Sequence, residues 1–313
     1  MPWELYRGDR EPHNFRLPEP PPWRRFPIVG ADQGGDPTFI PTPDIIRGVN
    51  AALYLRRPLF ITGPAGCGKS SVAESVAHEL RLGRVVRWHV TSHSTLEDAM
   101  YRYDALGRLQ HNQLHPGEDS ITKFLRLGPL GTALLGKEKP RVLLIDELDK
   151  AELDLPGDLL NVLERGEYEI AELNRHDQQT VHVREVDSDE THPIIRGRIQ
   201  CSVFPFIVMT SNGEREFPAA FLRRCIRINM ELPDEDRLRQ IVTAHFNDPS
   251  VADTERELIQ VFANRINSAP NRQARLAIDQ LLNAAFLVTR ENAPAGPERD
   301  ELIKMVQREL DRT

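Results

Sequence analysis

The chain has 313 residues, about twice the length of an ordinary domain, and 40% of them are apolar, enough to fill a core and to call for more than one lobe. With 40 basic and 47 acidic residues it carries a net charge of −7 and a pI near 5.9, so the chain as a whole offers no electrostatic footprint for nucleic acid, although a local basic stripe is compatible with that balance. Its three cysteines, Cys67, Cys201 and Cys225, are odd in number and lack metal-ligand spacing. They are read as reduced thiols with no zinc site, and since no apolar run approaches the roughly 18 residues needed to span a bilayer, the expected location is cytoplasmic, with no membrane partner.

Residues 1–43 are rich in proline (Pro2, Pro12, Pro18, Pro20, Pro21, Pro22 and Pro27) and read as an extended arm. Its Trp23-Arg24-Arg25 cluster either clips onto a neighbouring subunit or packs on the chain's own surface. Thr42-Pro43-Asp44 is a helix start, and Ile45, Ile46, Val49, Ala52 and Leu53 give that helix one apolar face. Strand-like apolar runs follow at Leu59–Thr62, Val85–Val90, Val142–Ile145, Phe206–Thr210 and Cys225–Met230, alternating with helices at Ser70–Leu80 and near Gly157–Arg165, the second stopped by Gly166. That alternation predicts an α/β domain over 44–231 with a largely parallel sheet of five strands. Residues 171–200 read as a polar insertion able to form hairpins, and 232–313 as a separate all-helical lobe and C-terminal helix, with Asn271–Leu287 its longest helix and Pro294 and Pro297 setting off the last.

Three motifs carry chemistry. Gly63, Pro64, Ala65, Gly66, Cys67, Gly68, Lys69 and Ser70, with Ser71 after them, are the candidate nucleotide-binding residues, lying after the apolar run Leu59-Phe60-Ile61 and before the helix-like stretch Val72–Leu80, the setting of a phosphate cradle. The glycines let backbone N–H groups face the phosphates, Lys69 neutralises the β and γ oxygens, and the Ser70 hydroxyl ligates Mg²⁺. The buried strand Val142–Ile145 then ends in Asp146-Glu147, which delivers Asp146 to the Mg²⁺ shell and Glu147 to a water for in-line attack; acidic strand ends are otherwise common for solvation alone. Phe206–Thr210 runs into Ser211-Asn212, which either forms a turn with Gly213 or reaches the γ-phosphate and its water. Arg223 and Arg224 precede the last strand, where an arginine can stabilise transition-state charge.

These residues resemble the AAA+ ATPases, and within them the MoxR group, over about residues 40–290. Gly63–Ser70 is similar to the family's Walker A, Val142–Glu147 to its Walker B with Glu147 catalytic, and Asn212 to its first sensor. Gly128-Pro-Leu-Gly ahead of the acidic strand and Leu159-Leu-Asn-Val-Leu-Glu164 after it resemble the MoxR pattern. The resemblance implies a P-loop α/β nucleotide domain with a helical lid, using ATP and Mg²⁺ and assembled as a ring, a hexamer, in which each site borrows an arginine from its neighbour: Arg224 by motif position, Arg223 second. It also implies a lid arginine that contacts nucleotide, Arg272 ahead of Arg275. Departures are Leu148-Asp149 where Ile-Asn is usual, Phe-Leu-Arg-Arg-Cys where Leu-Asp-Arg-Phe is familiar, and a longer polar stretch at 171–200.

In such rings the segment after the second strand lines the pore or contacts the client, so Tyr101 and Tyr103 either grip a polypeptide or pack into the core. His89, His93, His111 and His115 are read as scattered, without ligand spacing. Three functions follow: an Mg²⁺-dependent ATPase of MoxR type that remodels or assembles protein clients, with a von Willebrand A domain protein as partner; a nucleic-acid motor or loader, set against the net acidity; and a nucleotide-gated scaffold or switch in a stress or defence system, set against the complete set Lys69, Asp146, Glu147 and Asn212.

Overall fold

The computed structural model describes residues 5–6, 8, 10–14, 16–24, 38–116, 118, 121–136, 138–268, 277–290 and 293–307. Its centre is a parallel sheet of β1 (Leu59–Thr62), β2 (Val85–His89), β3 (Val142–Asp146), β4 (Phe206–Ser211) and β5 (Ile226–Asn229), in the spatial order β5-β1-β4-β3-β2. Leu59 pairs with Val208 and Ile226, while Val142 pairs with Phe206 and Val85. This is the predicted P-loop α/β sheet. It is parallel because each strand is followed by a crossover long enough to return the chain to the same edge direction.

The inner strands read as continuous apolar runs because both faces are covered. Alternate residues go to opposite cores. Leu143, Ile145, Ile207 and Met209 join one, with Phe60, Trp88, Leu159 and Phe221. Val142, Leu144, Phe206 and Val208 join the other, where α1 (Pro43–Leu55) and α2 (Ser71–Glu79) supply Ile45, Val49, Val72 and Val76. The Thr42 hydroxyl caps α1 by accepting the Ile45 N–H at 3.2 Å, with Pro43 at its first turn. Gly166, at φ +63, closes the helix Leu155–Arg165 as its left-handed cap.

A second sheet, unread in the sequence, has six short strands in the order Tyr101–Tyr103, Leu125–Leu127, Thr180–Arg184, Thr191–Ile195, Arg198–Gln200 and Glu167–Glu169. The hairpin Thr180–Arg184 with Thr191–Ile195 falls within residues 171–200. Tyr101 and Tyr103 are half-buried against the core, so both pack rather than project; Arg108 donates to the Tyr103 hydroxyl at 3.0 Å.

After β5 the described chain is helical: Glu235–Phe246, Pro249–Thr254, Arg256–Ser268, Ile278–Val288 and Pro297–Val306, around Leu238, Ile259, Phe262 and Leu281. Part of the predicted helix Asn271–Leu287 lies outside the described residues, and among those described Arg256–Ser268 is longer than Ile278–Val288. Of the arm, the described Trp23 packs on this lobe of its own chain, while Arg25 lies outside the described residues. Trp23 donates its indole N–H to Asn283 Oδ1 at 3.0 Å and meets Phe246 and Phe286 edge-on.

Candidate functional site

The predicted motifs meet at the carboxyl ends of β1, β3 and β4. The turn from β1 into α2 needs glycine for two separate reasons. A Cβ on Gly66, whose φ is +72, would come within 2.3 Å of the Ala277 Cβ, and one on Gly63 would lie 2.4 Å from the Met230 carbonyl oxygen. The loop is therefore clasped between the end of β5 and the helical lobe, and Ile278 donates its N–H to the Gly66 carbonyl at 3.3 Å.

Lys69 is buried and its ammonium spends its donors on three oxygens: the Gly63 carbonyl at 2.9 Å, the Pro64 carbonyl at 2.8 Å and Asn212 Oδ1 at 2.8 Å. Burial draws Lys69 below the ordinary lysine value, against the opposing influence of Cys67, Asp149, Asp146 and Glu147. Burial also pushes the Cys67 thiol up, so it is a packing group in the loop rather than a nucleophile.

The Ser70 hydroxyl donates to Asp146 Oδ1 at 2.8 Å, across 76 residues of sequence. Thr210 donates to the same oxygen at 2.6 Å and accepts the Glu147 N–H at 2.9 Å. Thr210 follows Met209, which pairs with Ile145, so the sheet register sets its hydroxyl beside Asp146. Glu147 itself sits in the left-handed region at φ +59, ψ +48, an uncommon conformation for a residue with a side chain and one that concentrates at functional positions. Its carboxylate lies 2.5 Å from Lys150 Nζ and 3.6 Å from His89 Nε2. The hydrogen bond to Glu147 holds Lys150 above the ordinary lysine value.

Sequence reasoning passed over several of these partners. Thr210 and Lys150 are examples; His89 was read only as one of four scattered histidines, and Asp149 was noted only as a departure from pattern. Asp149 is buried, and its Oδ2 accepts the backbone N–H of Asn212 at 2.8 Å and of Glu214 at 3.3 Å, which fixes the loop carrying Asn212. Arg215 completes that loop by donating to the carbonyls of Ala151 at 2.6 Å and Leu148 at 3.2 Å. The only signal in sequence was a polar residue interrupting an apolar strand end, as in Met209-Thr210-Ser211.

The two arginines are placed differently. Arg224 donates to Glu164 and to the Ala220 carbonyl at 3.0 Å, whereas the Arg223 side chain is exposed and has no partner among the described residues. Arg272 and Arg275 lie outside the described residues.

Beside Cys67, Gly68 and Ser71 opens a cavity of about 570 Å³. Phe39 and Ile40 line it from one side, Ile228, Met230 and Leu232 from the β5 side, and Ile241, Ile278 and Leu282 from the helical lobe. Its polar rim includes Asp44, Asp234, Arg237 and His245, and Thr38 Oγ1 lies 3.2 Å from His245 Nε2. No single motif encodes this cavity; it forms where three distant segments meet.

The family model for the AAA domain (dynein-related subfamily) matches residues 58–225, more than half of the chain. The chain belongs to the AAA domain family. In this AAA protein the matched span runs from Pro58, just ahead of β1, to Cys225, just ahead of β5, and so contains the phosphate loop, Asp146, Glu147, Asn212 and both arginines. Among solved structures, a mutant of RuvB from Thermotoga maritima is similar at 14% identity and a TM-score of 0.42, covering 84% of this chain and 66% of that one. No curated protein matches the sequence. Among the described residues of this AAA protein no helix is long and apolar enough to cross a membrane.

Proposed function

We propose that this AAA protein hydrolyses ATP with Mg²⁺, that it works as a ring, and that it belongs to the MoxR type acting on protein clients. The observation that carries the chemistry is the convergence of Ser70 and Thr210 on one oxygen of Asp146, next to a buried Lys69 that reaches Asn212. The donors fit the cation: Ser70 Oγ and Asp146 Oδ1 are hard oxygens 2.8 Å apart, suited to Mg²⁺ with phosphate and water filling the remaining positions. When bound, Mg²⁺ supplies charge neutralisation for the β- and γ-phosphate oxygens.

The chain's own residues take the following roles. Residues 63–71 cradle the phosphates with backbone N–H groups at the start of α2, and Lys69 exchanges its carbonyl partners for phosphate oxygens. Glu147 accepts the proton of the attacking water from a left-handed backbone position immediately past the end of β3. Asn212 orients that water, held by Asp149 behind it. The apolar walls around Phe39, Ile228 and Ile278 suit a planar base, which supports a seat for the adenine between the central sheet and the helical lobe.

Arg223 and Arg224 are the candidates to act on a neighbour's site. Exposure without a partner favours Arg223, motif position favours Arg224, and the Glu164 ion pair gives Arg224 a competing role within its own chain. Arg272 or Arg275 is the candidate lid arginine. The MoxR type rests on Gly128-Pro-Leu-Gly and Leu159–Glu164, and a von Willebrand A domain partner rests on that resemblance alone.

The test is phosphate release per chain over a range of protein concentrations, with Arg223→Ala, Arg224→Ala and Glu147→Gln in parallel. Specific activity is expected to rise with concentration, and one arginine variant is expected to lose hydrolysis while still binding ATP. Activity that is flat with concentration would remove the shared-site ring. A Glu147→Gln variant that hydrolyses normally would remove the assigned base.

A further inference from the structure

Outside the nucleotide site, the described structure gathers metal-ligating side chains in two places, and chemistry separates them. Glu185, Glu190 and His192 are close together, but the Glu185 carboxylate already carries Arg141 at 2.7 Å and Arg84 at 3.0 Å, which leaves no negative charge for a cation. His111, His115 and Glu118 differ. They offer two imidazoles and a carboxylate with all ligand atoms within 4.8 Å of one another.

The reading of His111 and His115 as lacking ligand spacing is corrected by the helix Ala105–Leu114. Residues four apart on a helix share a face, and the two rings stack at 4.5 Å between centroids, inclined by 24°. His111 Nε2 lies 3.2 Å from Glu118 Oε2, close to the separation of about 3.3 Å between two ligands on a tetrahedral ion with bonds near 2.0–2.1 Å. The outer contacts also suit a metal. His115 Nδ1 lies 3.3 Å from the His111 carbonyl oxygen, so its proton goes to that carbonyl and its Nε2 lone pair is left free. Lys123 holds the other oxygen of Glu118 at 2.6 Å, which orients the carboxylate while its charge weakens affinity for a cation. The His111 ring rests against Phe124, 5.6 Å between centroids.

We infer that His111, His115 and Glu118 bind a zinc-class divalent cation and so pin the end of the helix Ala105–Leu114 to Glu118. Two imidazoles with one carboxylate select zinc, nickel or cobalt over magnesium or calcium, with a fourth position left for water. The helix has a use for such a pin. It buries no residue, and Leu106, Leu109 and Leu114 are all exposed, so packing does little to hold it.

The experiment titrates Zn²⁺ into the untagged full chain against a chromophoric chelator, comparing wild type with His115→Ala, Glu118→Gln and His93→Ala. His115 and Glu118 are exposed, so both variants should fold as wild type does. Wild type and His93→Ala are expected to bind one Zn²⁺ per chain, with His115→Ala and Glu118→Gln weakened about tenfold or more. Zn²⁺ should also slow tryptic cleavage at Arg108 in wild type and not in His115→Ala. The site is overturned if wild type does not bind Zn²⁺, if His115→Ala binds it equally well, or if His93→Ala loses it too. None of these results bears on ATP hydrolysis, which is measured separately with Mg²⁺.

Discussion

The two edges of the central sheet, at its carboxyl and amino ends, both gather charge, yet they are built for opposite purposes. At the carboxyl ends of β1, β3 and β4, Lys69, Ser70, Asp146, Glu147 and Asn212 hold one another through bonds that a phosphate or a cation can replace. At the amino ends of β2 and β3, Arg84 and Arg141 stand immediately before the strands and converge on Glu185, with His192 at 3.0 Å from the same carboxylate. That second cluster is closed: the carboxylate is buried, satisfied from three sides, and carried beside the hairpin Thr180–Arg184 with Thr191–Ile195. A parallel sheet points all its carboxyl ends the same way, so the loops that must meet to handle a ligand are gathered at one edge, and the other edge is free to serve as an anchor.

If the two ends divide the work in this way, substitutions should divide with them. The largest effect is expected from Lys69→Ala, which removes both phosphate binding and charge neutralisation and should lower ATP hydrolysis about 10³-fold or more, measured by phosphate release, with ATP binding lost as well. Glu147→Gln should lower hydrolysis by about 10²-fold or more, the scale of losing a general base, while leaving ATP binding in place by equilibrium titration. Thr210→Val keeps the shape but removes the donor to Asp146 and the acceptor for the Glu147 N–H, and a fall of about tenfold in kcat is expected, the scale of about 1.4 kcal/mol. If Thr210→Val instead unfolds the protein and spares kcat per folded chain, the hydroxyl belongs to the core and not to the site.

The carboxyl end was legible in sequence because its parts come as contiguous motifs: Gly63–Ser70, Val142–Glu147 and Phe206–Asn212 each place a strand, its end and its candidate site residue in one run or directly after one. The five strands were legible for the same reason, since burial on both faces leaves uninterrupted apolar runs such as Val142-Leu-Leu-Ile145. The amino-end cluster was not. It joins residues 84, 141, 185 and 192, whose meeting depends on how the hairpin folds back, and no local pattern records that. The second sheet escaped because strands as short as Tyr101–Tyr103 and Leu125–Leu127 are held by pairing between distant segments rather than by any period of their own. His111 and His115 were legible in spacing and were missed because the helix that turns a four-residue spacing into one face, Ala105–Leu114, buries nothing and so lacks the apolar stripe by which helices are recognised.

The smallest effect, and the sharpest test of the division, is expected from Glu185→Gln. Burial alone would push the Glu185 carboxyl up, but hydrogen bonds and charge from Arg141, His192 and Arg84 outweigh it and hold the group below its ordinary value of 4.5. A carboxyl lowered in the folded state contributes stability that is present above about pH 4.5 and is lost as pH falls through the folded value. Arg84 and Arg141 remain partly exposed to water, which screens both pairs, so the substitution is expected to cause only a modest fall in Tm at pH 7. The wild-type advantage should therefore shrink toward nothing in thermal melts taken stepwise below pH 4.5, while kcat at neutral pH stays within about twofold of wild type. A Tm difference that persists undiminished in acid would mean that the substituted amide merely packs badly. A loss of hydrolysis on the scale of Glu147→Gln would mean that the two ends of the sheet are coupled, and that the hairpin's anchor is part of the machine it was thought only to steady.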